Sequence, residues 1–356
     1  MHFENGQVPA AYRRYVNMKL LFMFTAGCAL CIGLVLSIAL GAADIPVLDV
    51  LHSLTGGEVS ARTNAIIWRI RLPQALTAIV AGAGLSVAGA AMQAILRNPL
   101  GSPFTLGISH AASFGAAFSV MVLSAGTMTS SSVGAVSITN PIVTTLCALV
   151  SSILAAGVII LISRIRGASS EVMVLSGVAL GALFTAGTMF LQYFADDVQL
   201  AAMVFWTFGD VSRASWRELG IISGVTAVSS LYFMMHAWNY NAIEAGDETA
   251  KGLGVRVDWV RMNGMFIASL LTSVIIAFLG IIGFVGLVVP HVVRRIVGAD
   301  HRFLLPASVV CGAVLLLASD TAARLILMPQ VLPVSVLTAF LGAPVFIYLI
   351  VRGNRS

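Results

Sequence analysis

The sequence from Arg69 to Gly107 reads RIRLPQALTAIVAGAGLSVAGAAMQAILRNPLGSPFTLG, and the 25 residues between Arg71 and Arg97 carry no charge. Because a helix rises about 1.5 Å per residue, such a segment exceeds the roughly 30 Å hydrocarbon core of a bilayer. A ridge of small residues follows every fourth position: Ala78, Gly82, Ser86, Ala90 and Ala94. Small ridges let helix backbones approach closely in lipid. The segment therefore predicts a packed membrane helix, with a pore-lining ridge as the alternative.

The whole chain shares this apolar character. Of its 356 residues, 58% are apolar and only 10% are charged, and the mean hydropathy is +0.97. A soluble domain carries about 25% charged residues, because a folded globule needs a polar surface. The composition therefore predicts a polytopic membrane protein.

Ten apolar stretches predict ten membrane helices: 20–43, 72–96, 104–124, 141–163, 172–194, 219–238, 262–279, 287–297, 303–323 and 333–351. A further apolar piece, 198–209, is too short to cross and is predicted to be re-entrant or interfacial. The predicted scheme is a cytoplasmic N-terminal segment, 1–19, a single membrane domain, 20–352, and a C-terminal tail, 353–356.

With ten crossings, both termini lie on one side of the membrane. Placing them in the cytoplasm leaves six of the 20 basic residues outside: Arg62, Arg69, Arg71, Arg213, Arg217 and Arg324. The other 14 then lie inside, as the positive-inside rule requires. The net charge of +5 is thus interpreted as a topology signal rather than a nucleic-acid surface. The sequence predicts a multi-pass protein of the inner membrane with both termini cytoplasmic.

The sequence lacks the residue patterns that several kinds of chemistry require. Metal-dependent or proteolytic membrane enzymes need clustered His, Asp or Glu at helical spacing, and no phosphate loop of the form GxxxxGK[ST] occurs. The charges well inside an apolar run are Asp320 and Arg324, four residues apart, which predicts a local ion pair. We therefore expect no catalytic residue, metal site or cofactor in this chain, and energy supplied by a partner.

Two further stretches complete a set with 69–107. They are EAGDETAKGLGVRVDWVR at 244–261, and GIIGFVGLVVPHVVRR at 280–295. In their order, spacing and amino-acid sequence, the three stretches resemble the permease subunits of binding-protein-dependent ABC importers for iron-siderophores, haem and cobalamin. The resemblance covers nearly the whole chain, from about Leu20 to Arg352.

This resemblance implies an all-α fold of ten transmembrane helices with an inverted repeat, the type II importer permease. It implies three partners: two copies of a cytoplasmic ABC ATPase that binds ATP and Mg, a second permease copy forming a homodimer, and a periplasmic or lipid-anchored substrate-binding protein. The implied cargo is a metal chelate, first a ferric siderophore, with haem and cobalamin as alternatives. An ion-coupled secondary transporter is the alternative from another class, and the missing mid-membrane acid speaks against it.

The resemblance also assigns an ATPase-coupling element at 244–261, with these residues: Glu244, Gly246, Asp247, Glu248, Ala250, Lys251, Leu253, Gly254, Val255 and Arg261. The charged side chains are expected to be solvated. Ala250, Leu253 and Val255 are expected to form a small apolar face. Gly252 and Gly254 are expected to bend the chain between two short helices.

Three other groups of residues follow from the resemblance. The cytoplasmic gate is assigned to Asn98, Leu100, Ser169 and Ser170. Binding-protein docking on the outer face is assigned to Arg71 and Arg324, although Gln74 stands where the family commonly has a second arginine. In the competing interpretation, Arg324 only pairs with Asp320 and Arg71 only anchors its helix at the interface.

The stretch 280–295 is predicted to turn within the membrane at three glycines, Gly280, Gly283 and Gly286. Pro290 and His291 are then expected to open a short helix that leads to the cytoplasmic arginines. His291 could contact the substrate or a gate element. A structural hydrogen bond at the start of the helix is the preferred interpretation.

Overall fold

The computed structural model describes residues 10–123, 126–128, 136–138, 140–167, 169–328 and 330–353. Residues 1–9 of the predicted N-terminal segment and 354–356 of the predicted tail lie outside the described residues. The rest of the N-terminal segment is helical and continues into the first long helix, which begins at Ala10 rather than near Leu20.

Helices dominate the fold, and seven within the described residues are long and apolar enough to cross a membrane. Numbered in chain order, the long helices are α1 (Ala10–Ala39), α4 (Leu72–Leu96), α6 (Pro141–Ile165), α7 (Ser170–Phe194), α9 (Trp216–Met235), α12 (Val257–Leu279) and α14 (His301–Leu325). Three further apolar helices are α5 (Ile108–Val122), α13 (Val285–Val297) and α15 (Val334–Gly353). The connecting helices are α2 (Val47–Thr55), α3 (Ala61–Ile66), α8 (Asp197–Thr207), α10 (Ala237–Glu244) and α11 (Asp247–Gly252).

A helix lies at every one of the ten predicted apolar stretches. Most of the ends of these helices fall within a few residues of the predicted bounds. A π-helical turn, Ile67–Arg71, joins α3 to α4, so that a continuous helix extends from Ala61 to Leu96. The predicted short piece at 198–209 is α8. Helix α8 begins with a capping box. Asp196 Oδ1 accepts from the Gln199 backbone N–H at 2.8 Å, and Gln199 Oε1 accepts from the Asp196 backbone N–H at 3.2 Å.

One short antiparallel strand pair departs from the all-helical prediction. Strands β1 (Gly126–Met128) and β2 (Val136–Ile138) pair with Gly126 opposite Ile138. The predicted stretches 104–124 and 141–163 leave the residues between α5 and α6 without an assigned helix or strand. The β-branched residues of this segment, including Val136 and Ile138, favour a strand, which explains the difference.

The centre of the molecule is α4. Of the most apolar window in Ala61–Leu96, 83% is buried, against 11% in Tyr12–Ala39. Helices α9, α12, α13 and α14 pack around it. The small-residue ridge is buried along its whole length, and a side chain at Gly82 would collide with the Gly312 carbonyl of α14. The ridge therefore serves helix packing, as predicted, and not a pore surface.

The predicted turn in 280–295 is present, but the helix that follows it begins earlier than expected. The helical structure of α12 ends at Leu279, Gly280 adopts a left-handed φ of 79°, and Phe284 precedes α13 at φ 67°. Pro290 and His291 lie in the middle of α13, so the prediction that they open it is wrong. The His291 Nδ1 atom is buried without a hydrogen-bond partner among the described residues, so no structural bond at a helix start accounts for it.

Helix α13 is in close contact with α4 from its second residue onward. A Cβ on Gly286 would lie 2.6 Å from the Leu85 carbonyl oxygen, and the Gly286 carbonyl faces Gly89 with no space for a side chain. Pro290 has no N–H, so the Gly286 carbonyl lacks its usual helical donor. That free carbonyl points at the glycine on α4, which lets the two backbones meet.

Candidate functional site

The predicted coupling element forms a compact corner between α9 and α12. Helix α10 ends at Glu244, Gly246 turns the chain at φ 119°, and α11 follows. Gly254, at φ 82°, makes the second turn before α12 begins at Val257. Gly252 lies inside α11, so the bend between the two short helices is at Gly246 and not at Gly252–Gly254 as predicted. Positive φ favours glycine at both turns.

The outward side of α11 is solvated. The Lys251 ammonium lies 2.9 Å from the Glu248 carboxylate, and these side chains are 55% and 89% exposed. This hydrogen bond raises the pKa of Lys251. Leu253 is 70% exposed, whereas Ala250 is fully buried and Val255 is half-buried. The predicted apolar face is therefore reduced to Leu253, since Ala250 points into the protein.

The inward side of α11 is held by a buried arginine. Arg261 on α12 is 3% exposed, and its Nη2 donates to both carboxylate oxygens of Asp247 at 3.0 and 3.1 Å. Its Nε donates to the Ile95 carbonyl in the last turn of α4 at 3.0 Å. Arg97 lies farther from Asp247, at 3.9 Å. One guanidinium thus connects α11, α12 and α4.

A second polar group fixes α10 to α13 and α14, and most of it was not predicted. Arg294 pairs with Glu244. Asn241 donates to Asp300 Oδ1 at 3.0 Å, and its own oxygen accepts from the backbone N–H of fully buried His301 at 2.8 Å. The sequence signal was Asp300, three residues before the apolar run that starts at Phe303, a position typical of a helix N-cap.

Asp300 is ionised in this arrangement. Burial opposes its charge, but hydrogen bonds from Arg302 and Asn241 outweigh the burial and lower its pKa to about 2. The carboxylate also accepts from the Arg302 backbone N–H at 3.0 Å, as an N-cap of α14 does. The start of α14 is therefore held by charge at any pH near neutral.

The predicted gate residues lie in two segments next to the ends of α4 and α7. Arg97 ends α4 in the left-handed conformation, at φ 48°, and Asn98 Oδ1 accepts from the Leu100 N–H at 2.9 Å. Ser169 and Ser170 form the start of α7, without a side-chain cap from Ser169. The segment after Leu100 reaches α7, because a Cβ on Gly177 would lie 2.7 Å from Leu106 Cα.

The two predicted docking arginines converge on the end of α1. Arg71 is 7% exposed and donates to the carbonyls of Ile38 and Ala39 at 2.6 and 2.9 Å, and also to that of Ala43. Arg324 donates to the Ser37 carbonyl at 3.1 Å and to the Leu40 carbonyl at 3.3 Å. The last carbonyls of a helix have no intrahelical donor, and these guanidinium groups supply one.

Gln74 belongs to the same outer cluster. Its amide donates to Asp320 Oδ1 at 3.0 Å, and Asp320 Oδ2 accepts from Arg324 Nε at 3.1 Å. The predicted local pair between Asp320 and Arg324 is confirmed. The glutamine therefore takes the place of an arginine as a neutral donor to a buried carboxylate.

The chain resembles known transport proteins in both sequence and fold. The FecCD transport family matches residues 29–352. An ABC transporter permease of Methanocaldococcus jannaschii is 50% identical, over 97% of this chain and 98% of that protein. The hemin transport system permease HmuU of Yersinia pestis is 35% identical, over 91% and 94% respectively. A solved inward-facing structure of a metal-chelate type ABC transporter has a TM-score of 0.80 at 28% identity, covering 93% of this chain and 98% of that one. The resemblance predicted from the three stretches is confirmed, and the chain belongs to the FecCD transport family of ABC-importer permeases.

Proposed function

We propose that this chain is the permease subunit of an ATP-driven importer that carries a ferric siderophore across the inner membrane. Haem is the first alternative, because the hemin permease of Yersinia pestis is 35% identical, and cobalamin is the second. The observation that carries the proposal is the corner made by α10 and α11. It exposes Leu253, Glu248 and Lys251 to the cytoplasm while two buried polar groups bind it to α4, α12, α13 and α14.

Ten crossings with an inverted repeat fit this proposal. To the seven long helices we add α5, α13 and α15, each of which is apolar. Helix α4 is followed by a non-helical segment and the short α5, and α12 is followed by a non-helical segment and the short α13. Breaks at matching positions in two halves are typical of transporters whose path lies at the repeat interface.

An even number of crossings leaves both termini on one side of the membrane, which we assign to the cytoplasm. The coupling corner lies on that side together with the basic ends of α13 and α14. In this scheme 14 of the 20 basic residues lie on that side, including Arg294, Arg295 and Arg302, and six lie at the other face, including Arg62, Arg69 and Arg217. The excess of basic residues beside the coupling corner supports the assigned orientation.

We assign four kinds of partner. Two copies of an ABC ATPase bind ATP and Mg and meet α11. A second copy of this chain covers part of the apolar surface of α7, of whose most apolar window only 17% is buried. A periplasmic or lipid-anchored binding protein delivers the cargo, and lipid covers the remaining apolar faces. The turn at Asn98 and Leu100 and the start of α7 at Ser169 and Ser170 form the cytoplasmic gate.

The docking role of Arg71 and Arg324 stays a prediction, and their geometry limits how they could perform it. Both guanidinium groups are occupied by carbonyls at the end of α1. Arg62 and Arg69 are exposed on the same outer segment. We therefore propose that Arg71 and Arg324 set the position of the outer face, while Arg62 and Arg69 meet the acidic surface of the binding protein.

Reconstitution tests the function. The purified permease, its ATPase and its binding protein are placed in vesicles, and uptake of a ferric hydroxamate, haem and cobalamin is measured separately. We expect ATP-dependent uptake of the ferric chelate and no uptake with an ATPase variant that binds but does not hydrolyse ATP. Uptake driven by a proton or sodium gradient without ATP would contradict the proposal and favour a secondary transporter.

A further inference from the structure

Arg261 occupies an unusual position between three helices. Its charge is almost fully buried, yet its contacts are an exposed helix on one side and a backbone carbonyl on the other. One guanidinium nitrogen, Nη2, donates to both oxygens of Asp247, and charge-assisted hydrogen bonds of this kind are stronger than neutral ones. Removing one member of a buried pair leaves an uncompensated charge, so such a contact is kept through small movements of its elements.

Helix α11 depends on this contact for its orientation. It has only six residues, and glycines with positive φ, Gly246 and Gly254, border it at both ends. Backbone connections of this kind allow rotation. The contacts that hold α11 from within include the buried Ala250 and the pair between Asp247 and Arg261.

The other end of the contact lies beside the predicted gate. Ile95 accepts the Arg261 Nε hydrogen bond, and two residues later Arg97 ends α4 and begins the turn of Asn98 and Leu100. Helix α12 packs closely on the same residue, since a Cβ on Gly264 would lie 2.5 Å from Ile95 Cδ1. A displacement of α11 thus reaches the last turn of α4 through Arg261, while Arg97, 3.9 Å from Asp247, forms a longer second contact with the same turn.

We propose that the contact from Asp247 through Arg261 to the Ile95 carbonyl is the joint that transmits movement of α11 to the turn at 97–101. Arg261 is a positioning residue in this joint and not a contact for the ATPase or the cargo. The inference rests on the proposed function, because α11 moves only if a partner moves it. It adds a specific route from the cytoplasmic surface to the gate.

The test combines transport with distance measurement. The four native cysteines are replaced, spin labels are attached at Leu100 and Thr249, and the intact complex is studied in vesicles with and without ATP. In the wild type we expect the distance between the labels to stay constant, because both sites move together. In Asp247→Asn the distance distribution should widen or shift when ATP binds, and molecules transported per ATP should fall about tenfold with ATP hydrolysis retained.

The matched control is Asp197→Asn, which removes an exposed carboxylate from the first turn of α8, outside the coupling element. It should match the wild type in both measurements. If Asp247→Asn does not fold, Arg261→Lys replaces it, because lysine keeps the charge but not the fork that reaches both partners. Wild-type coupling together with a constant label distance in either folded variant would overturn the joint. Absence of ATP-driven uptake in the wild type would instead count against the proposed function, and the label distances would still report on the joint.

Discussion

The two ends of this protein, outer and cytoplasmic in the orientation proposed above, both carry arginines that were predicted to contact partners, and the structure uses them differently. At the outer end, Arg71 and Arg324 donate to successive carbonyls at the end of α1 and are largely buried. At the cytoplasmic end, Arg261 is also buried, but it holds a helix whose other side is exposed. An arginine near a helix end first satisfies the free carbonyls within its reach. A partner surface therefore remains only where another element presents unpaired groups to solvent.

The largest expected effect comes from removing an outer cap. Arg71→Ala removes the buried donor to two α1 carbonyls, those of Ile38 and Ala39, and the donor to the Ala43 carbonyl beyond the helix. Each unsatisfied buried acceptor costs about 1–3 kcal/mol, so we expect the free energy of unfolding to fall by about 3 kcal/mol or more. Thermal unfolding in detergent, followed by tryptophan fluorescence, measures the change. Exposed Arg69→Ala is the control and should unfold like the wild type. If Arg71→Ala is as stable as the wild type but no longer binds the binding protein, Arg71 contacts that protein directly.

The next effect concerns the exposed side of α11. Leu253→Asp places a charge on the one largely exposed apolar side chain of the coupling element. If the ATPase buries this leucine, affinity should fall about 30-fold, the size of an interface hot spot. Binding of the purified ATPase to the permease in nanodiscs measures it. Stability should not change, because the side chain has little contact with its own chain. Equal affinity in the variant and the wild type would exclude Leu253 from the interface.

A smaller effect is expected at the outer surface. Arg62→Glu with Arg69→Glu reverses two exposed charges without touching the α1 caps. Charge complementarity mainly accelerates association, so we expect about a tenfold slower association rate at low ionic strength. The difference should shrink as salt screens the charges. Arg164→Glu with Arg166→Glu, exposed at the cytoplasmic face, is the matched control. If the variant with Arg62→Glu and Arg69→Glu associates with the binding protein at the wild-type rate, these two arginines do not belong to the docking surface.

The smallest effect is expected at Gln74. Gln74→Leu removes one hydrogen bond to Asp320, which keeps its pair with Arg324. A single hydrogen bond of this kind contributes about 1 kcal/mol, so the unfolding free energy should fall by about that amount. The same thermal assay compares it with Arg71→Ala. A loss as large as that of Arg71→Ala would mean that the amide, and not the arginine pair, holds the cluster together.

Helix positions could be predicted from the sequence because lipid demands apolar runs of sufficient length. The start of α13 could not, since residues 281–289 are apolar throughout and nothing local separates turn from helix. The boundary lies at the contact of Gly286 with α4. A similar limit explains the missed cap of α1, because Arg71 and its acceptors lie about 30 residues apart in the sequence.

The coupling element shows which part of a site a resemblance supplies. Its place in the chain and its exposed charges at Glu248 and Lys251 agree with the prediction. The orientation of Ala250 does not agree with the prediction. The contact of Asp247 with Arg261 turns the Ala250 side of the six-residue α11 toward the protein interior. Direction depends on the tertiary contact with Arg261, and the sequence shows that contact only as two charges 14 residues apart.

The glycine contacts of α4 also divide the molecule mechanically. Gly89 meets Gly286 of α13, and Gly82 meets Gly312 of α14, with no space for even a methyl group at either crossing. Helices in such contact cannot slide past each other by a residue without steric overlap. Helices α4, α13 and α14 should therefore move as one rigid body during a transport cycle. The degrees of freedom that open and close a path then belong to α5, α7 and α15, whose packing against this body involves fewer close backbone crossings.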